Sequence, residues 1–327
     1  MNHMLNIDFF NVGDGDSILL LEQRRDSPGF AALIDTGRPS VEFVKGSQRR
    51  EAIAHLMKAS VERIDLMVLT HLHFDHIGGA LRILQRIPVG RLVLGYLPPE
   101  GARWIVPPSF EEKTVVGLCE ALNMLADILS VARRSGCRCE IASPGARQLT
   151  AGLKMETAIA DTELLSRQKQ VYDALYLGGD PGYDEMYRVS KDRNNSSIVT
   201  RFGYAGREIL LTGDSYASYL EGRVEARCDI LKLPHHGDEK SMNATLLEKL
   251  APEYAVISCQ NTDSDKDRPT VPVLDMLCRK NIQVFCTENR ELPGYSAGTQ
   301  ESVRFCIHDD GRIDCLGKKS TSWQKTC

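Results

Sequence analysis

Ile64-Asp65-Leu66-Met67-Val68-Leu69-Thr70-His71-Leu72-His73-Phe74-Asp75-His76-Ile77-Gly78-Gly79 decides how the chain is read. It opens as a short apolar run with branched residues, which reads as a buried strand. Just past its end stand three of the chain's eight histidines, together with Asp75. Imidazole and carboxylate groups are ligands for zinc and neighbouring divalent ions. In an extended loop His71 and His73 point to one side, while Asp75 and His76 face another. Two ligand pairs on different sides of one loop suit two ions held close together better than one. Gly78 and Gly79 add no bulk where a following helix packs near the metals.

Working outward, residues 5 to 12 and 17 to 22 read as strands around Gly13-Asp14-Gly15, and 30 to 34 as a third strand after the breaker Asp26-Ser27-Pro28-Gly29. Helical spacing marks residues 46 to 60, 80 to 85, 114 to 135, 241 to 250 and 271 to 280. Further strands are expected at 91 to 94, 197 to 202, 208 to 211, 230 to 233, 254 to 258 and 283 to 286, with a terminal hairpin over 303 to 315. Two of these strands deliver Thr212-Gly213-Asp214 and Pro234-His235-His236-Gly237. Every candidate ligand set thus follows a strand, as expected of a site at the carboxyl ends of a sheet. Residues 96 to 110, rich in proline, and 161 to 192, with Tyr172, Tyr176, Tyr183 and Tyr187, read as irregular. His55 and His308 receive no role.

The 327 residues are enough for a large core. Motifs from both halves converge on one site, so we read a single domain over 1–327 with insertions at 96–135 and 161–192. The formal net charge of −4, from 40 basic and 44 acidic residues, argues against a protein that coats nucleic acid broadly. The ten cysteines include no Cys-x-x-Cys pair, so buried free thiols are expected rather than a thiolate zinc site. The amino terminus lacks the pattern of a signal peptide and no run suggests a membrane span, which predicts a cytoplasmic protein without membrane contact.

His71-x-His73-x-Asp75-His76-x-Gly78-Gly79 resembles the signature of the metallo-β-lactamase-fold hydrolases. The flanking segments are most similar to the branch represented by the hydrolase domain of the competence DNA-uptake protein ComEC/Rec2. They are Phe10-Asn11-Val12-Gly13-Asp14-Gly15-Asp16-Ser17, Ile34-Asp35-Thr36-Gly37, Asn194-Asn195-Ser196-Ser197, Leu211-Thr212-Gly213-Asp214 and Leu231-Lys232-Leu233-Pro234-His235-His236-Gly237.

The resemblance implies an α/β fold, a four-layer αβ/βα sandwich, and two divalent ions, zinc or manganese. It gives one ion His71, His73 and the bridging Asp214, and the other Asp75, His76, Asp214 and His235. We favour His235 over His236 because only one of two adjacent side chains normally faces the metals. That leaves His236 as a catalytic candidate beside Asp75 and Asp214. Asp35 is expected behind the histidines, fixing their tautomers. Asn195 and Ser196 match polar residues near the family's site, and the insertion with the four tyrosines is expected near its mouth, where rings can stack on bases. The chain departs from the wider pattern in having no histidine between His76 and His235. It also carries Arg268-Pro269 where the branch often has His-Pro, so Arg268 becomes a candidate for holding a phosphate oxygen. The implied reaction is hydrolysis by a metal-activated water, with a nucleic acid or other phosphodiester as substrate. A small ester, lactone or phosphorylcholine-like substrate stays open, as does a non-catalytic, metal-stabilised binding module.

Overall fold

The computed structural model describes residues 3–23, 29–107, 113–260, 268–289 and 298–316. Its first sheet receives Met4–Phe10 (β1), Ile18–Gln23 (β2), Phe30–Ile34 (β3), Ile64–Leu69 (β4), Val89–Leu94 (β5) and Arg138–Ile141 (β6). The second holds Gly145–Gln148 (β7), Leu153–Ile159 (β8), Ile198–Tyr204 (β9), Arg207–Leu211 (β10), Ile230–Lys232 (β11), Tyr254–Ile257 (β12) and Gln283–Cys286 (β13). After the small pair Glu288–Asn289 (β14) and Gly298–Thr299 (β15), Ser302–His308 (β16) and Ile313–Leu316 (β17) return to the first sheet. Its order is β17-β16-β1-β2-β3-β4-β5-β6, and that of the second is β13-β12-β11-β10-β9-β8-β7. Both are antiparallel at one end and parallel at the other, over β3 to β6 and β10 to β13.

Side chains alternate along each strand and sort themselves into layers. Leu66 and Val68 of β4 point between the sheets, where they join Ile34, Ile198, Ile209, Leu211 and Ile230. Met67 and Leu69 point the other way. There they meet the helices Ala52–Lys58 (α1), Phe74–Ile77 (α2), Ala80–Leu84 (α3), Lys113–Arg134 (α4), Thr162–Tyr176 (α5) and Tyr183–Lys191 (α6). On the far side of the second sheet lie Ala217–Leu220 (α7), Ala244–Leu250 (α8) and Val271–Arg279 (α9). The result is the helix–sheet–sheet–helix sandwich that was expected, with the β3, β4, β10 and β11 carboxyl ends at one rim.

Two sequence expectations are corrected. Residues 161–192 are two helices, not an irregular region: Asp161 caps α5 by accepting from the Glu163 and Leu164 N–H groups, both at 3.0 Å. Of the four tyrosines expected at the mouth, Tyr172 and Tyr176 lie in the core, 1% and 0% exposed, whereas Tyr183 and Tyr187 stack on each other at the surface. Second, α4 does have the length and apolar composition of a membrane span, yet Val115, Leu118, Leu122, Leu125 and Ile128 are buried against the first sheet. His55 is a packed histidine, stacked on Phe10 and bonded to the Asn11 carbonyl at 3.0 Å. Part of the 26–29 breaker and the end of the 96–110 loop lie outside the described residues.

Cys137 and Cys139 are next-nearest neighbours running into the edge strand β6. The neighbouring Cys137 thiol, helped by Arg133, outweighs burial and brings Cys139 down to about 7. The thiolate is the nucleophile, so its fraction rises as pH rises through that value. Alkylation of the native chain should therefore tag Cys139 well before the buried Cys228, which burial pushes up to about 12. The Cys139 rate should climb through neutral pH and then level off. Peptide mass spectrometry after timed iodoacetamide treatment checks this, and equal labelling of the two thiols would contradict it.

Candidate metal centre

The site is assembled by backbone hydrogen bonds before any ligand side chain is considered. Asp35, at the end of β3, takes the Thr70 N–H on Oδ1 and the Thr70 hydroxyl on Oδ2, both at 2.8 Å. The Thr36 N–H and hydroxyl each donate to the His76 carbonyl at 2.7 Å, and the Asp16 N–H donates to the Asp75 carbonyl at 3.1 Å. The ligand loop is thus strapped to the loops after β1 and β3. Gly78 and Gly79 are required for this strapping rather than for contact with the metals: a Cβ would stand 2.3 Å from the Pro39 ring at Gly78 and 2.3 Å from the Thr36 carbonyl at Gly79.

These bonds fix which nitrogen each histidine presents. The Thr70 hydroxyl is already committed as a donor, so His71 Nδ1, 3.1 Å away, donates to it and Nε2 keeps its lone pair. His71 Nε2 lies 2.9 Å from His73 Nδ1. Two nitrogens on one tetrahedral zinc stand about 3.4 Å apart, so this pair needs little adjustment to hold an ion. Burial, with the neighbouring His76 and His73, holds His71 well below the ordinary imidazole value. Burial and Arg193 bring His73 down to about 3. Both rings are therefore neutral, the form in which imidazole can bind a metal.

On the other side, His76 Nδ1 donates to Asp35 Oδ2 at 2.7 Å, and His236 Nδ1 donates to the Ser258 carbonyl at 2.9 Å. Both Nε2 atoms then face Asp214 Oδ2, at 3.1 Å from His76 and 3.4 Å from His236. Asp75 Oδ2 is also 3.4 Å from His236 Nε2. Ligand atoms of Asp75, His76, Asp214 and His236 all fall within 4.8 Å of one another. His236 Nε2 is buried without a hydrogen-bond partner, a costly state that a cation would relieve. Burial works against charge here, but Asp214 and Asp35 outweigh it and raise His76 well above its ordinary value. Burial likewise pushes Asp214 up, but His76, His236 and Lys232 overcome it and hold that carboxyl far down. The cluster draws positive charge to the point where the lone pairs meet, and its donor set fits divalent ions.

The backbone around His235 and His236 explains which of the two enters the cluster. Both are left-handed, at φ 46°, ψ 45° and φ 55°, ψ 24°, and Asp35 is also left-handed at φ 58°. Non-glycine residues held so are strained and gather at functional sites. The turn brings His236, where His235 was expected, to within 3.4 Å of Asp75 Oδ2 and of Asp214 Oδ2. The His235 ring lies instead beside Tyr216, with Nε2 3.1 Å from the Asn194 amide nitrogen. Its main-chain N–H donates to Asp214 Oδ1 at 3.2 Å. Burial, with Arg268 and His236 assisting, brings His235 down to about 4.

Asn195 and Ser196 do not face the cluster. Asn195 Oδ1 accepts from the Tyr216 N–H at 3.2 Å, and the Ser196 hydroxyl donates to the Arg193 carbonyl at 2.9 Å. Arg268 sits at the rim, its Nε 3.5 Å from Asp238 Oδ2. The sequence reading assigned no role to Lys232, Asp16, Arg193 or Arg38. Lys232 is fully buried and bonds Asp16 and Asp214. Arg193, buried, donates from Nη1 to the Leu72 carbonyl at 2.8 Å and so holds the ligand loop from behind. Arg38 Nη2 pairs with Asp14 Oδ2 at 3.0 Å near Asp75. A lysine inside the apolar run 230–233 was the readable signal for the first of these.

A family model described as the metallo-beta-lactamase superfamily matches residues 12–260, a span that holds every candidate ligand. The chain belongs to the metallo-beta-lactamase superfamily. This superfamily member is 26% identical over 298 residues to ComE operon protein 3 of Bacillus subtilis (strain 168), an alignment covering 86% of this chain and 32% of the relative. The chain therefore spans roughly a third of that relative's length, and the match agrees with the expected branch. Among solved structures, Tm1679, a metal-dependent hydrolase of the beta-lactamase superfamily, aligns at 14% identity and TM-score 0.47, covering 86% of this chain and 95% of that one. A long form RNase Z from yeast aligns at 12% identity and TM-score 0.42, covering 97% and 49%. Fold and donor chemistry are those of a metal-dependent hydrolase of this superfamily.

Because Asp35 fixes both Thr70 and the His76 ring, Asp35→Asn should weaken divalent metal binding about 10- to 100-fold while the chain stays folded. Calorimetric titration of the metal-stripped variant measures it. Unchanged affinity would remove Asp35 from the account.

Proposed function

We propose that the chain is a metal-dependent phosphodiesterase acting on nucleic acid or nucleotides, with zinc or manganese in a dinuclear centre. The observation that carries this reading is the orphaned His236 Nε2 converging with Asp75, His76 and Asp214, beside the separate His71–His73 pair. Asp214 converges with Asp75, His76 Nε2 and His236 Nε2, and in this reading it would also complete a second set with His71 Nε2 and His73 Nδ1. His236 takes the ligand place first given to His235. Divalent ions held there supply the Lewis acidity that activates water and stabilises charge on the substrate's oxygens.

The chain's own residues do the rest. His73 and Asp75 are partly exposed while His71, His76, Asp214 and His236 are buried, so substrate approaches from the Asp75 side. Asp75, partly exposed within this set, would orient the attacking water as well as hold an ion. Arg38 lies close enough to Asp75 for the two charges to interact, and Arg268 similarly acts on His235. A phosphodiester anion seated over the ligands would feel both guanidiniums, a feature that a neutral ester would not use. Neutral His235, held by Asn194, and Tyr216 form the adjoining wall.

Metal-stripped protein refilled with zinc or manganese should cleave bis-p-nitrophenyl phosphate and single-stranded DNA. Asp214→Ala should lose more than about 100-fold in rate, beyond what outer partners of a metal cost, and His236→Ala should lose more than His235→Ala. If metal binds yet neither phosphodiester is cleaved, the reading fails, and ester and lactone substrates become the next panel.

A further inference from the structure

Lys232 is the only lysine among the described residues that is buried, at 0% exposure. It ends β11 on the side of Ile230, facing the layer between the sheets, where an aliphatic residue would pack without cost. Burying an ammonium is favourable only with close, well-satisfied partners. Lys232 Nζ has three acceptors for its three N–H bonds: Asp16 Oδ2, Asp214 Oδ1 at 3.3 Å and the Gly213 carbonyl at 3.2 Å.

The two oxygens of Asp214 are thereby divided. Oδ1 receives the ammonium and, at 3.2 Å, the His235 main-chain N–H. Oδ2 faces the Nε2 atoms of His76 and His236. A carboxylate free at both oxygens can chelate one ion or bridge two ions with one oxygen each; one held at Oδ1 leaves Oδ2 as the only oxygen through which two ions could share it. We infer that Lys232 is a positioning residue that occupies Oδ1 of Asp214 so that Oδ2 alone serves both ions. The inference rests on the dinuclear reading above. It has an asymmetric consequence, because no histidine stands between His76 and His235 in the chain and the His235 ring is turned to Asn194 and Tyr216. On the dinuclear reading Asp214 would supply the remaining protein bond of the His71–His73 ion, whereas the other ion would also have Asp75, His76 and His236. Loosening Asp214 should release the His71–His73 ion first.

The test is competition titration of Zn²⁺ against a fluorescent chelator, using the metal-stripped full chain. Wild type should take up two ions; fewer than two would sink the dinuclear reading itself, separately from any effect of Lys232. Lys232→Met should weaken one ion about 10- to 100-fold and leave the other within a few-fold. Since that variant strands two buried carboxylates and can unfold, Asp16→Asn/Lys232→Met removes opposite charges together. We expect this double variant to keep the wild-type thermal transition and still bind one ion weakly. Wild-type affinity for both ions in a folded double variant would overturn the inference, leaving Lys232 as packing. A second readout needs no variant: the Lys232 ¹⁵Nζ ammonium signal, slow to exchange because buried, should persist on zinc loading. Its loss on loading would show that metal takes Oδ1 and frees the lysine, again overturning the proposal.

Discussion

Asp214 is the one group on which the two sheets depend for a shared chemistry. It stands past the end of β10 in the second sheet, yet its Oδ2 faces His76, which belongs to the loop after β4 in the first. The contact forms only because the inner faces of both sheets pack as one apolar layer and bring their carboxyl ends level. Hydrophobic burial supplies the non-directional force, and the carboxylate and imidazole groups set the register at the rim. The candidate ligands after β4, β10 and β11, with Asp35 after β3 behind them, then meet without any one loop having to be long.

The rim carries costs that the core offsets. Asp35, His235 and His236 all occupy left-handed backbone, at roughly 1–3 kcal/mol each. Asp16 Oδ1 and His236 Nε2 are buried without hydrogen-bond partners. Such features concentrate where a structure is shaped for something other than its own stability. Here they surround one point, where lone pairs and carboxylates face inward and Lys232 and Arg193 bring fixed positive charge from behind.

Much of this was legible in the sequence because the signals were local. The β4 run followed at once by His71, His73, Asp75 and His76 placed the strand, the loop and most of the candidate ligands. What was not legible depended on geometry that sequence spacing does not encode. The choice between His235 and His236 rested on the alternation of an extended strand, and two successive left-handed residues break that alternation. The helices α5 and α6 were hidden by Gly178-Gly179-Asp180-Pro181-Gly182 between them, although Asp161 was a readable cap. Asn195 and Ser196 turn back to main-chain partners, as short polar side chains do beside a tight turn. Lys232 could be seen as a charge in an apolar strand, but its partners Asp16 and Asp214 come from far away in the chain.

Anomalous diffraction from manganese-loaded crystals tests the central claim most directly. The account predicts two peaks flanking Asp214 Oδ2, one within bonding distance of His71 Nε2 and His73 Nδ1, the other of His76 Nε2, Asp75 and His236 Nε2. A single peak, or a second ion bound by His235 with His236 left bonded only to Ser258, would contradict it.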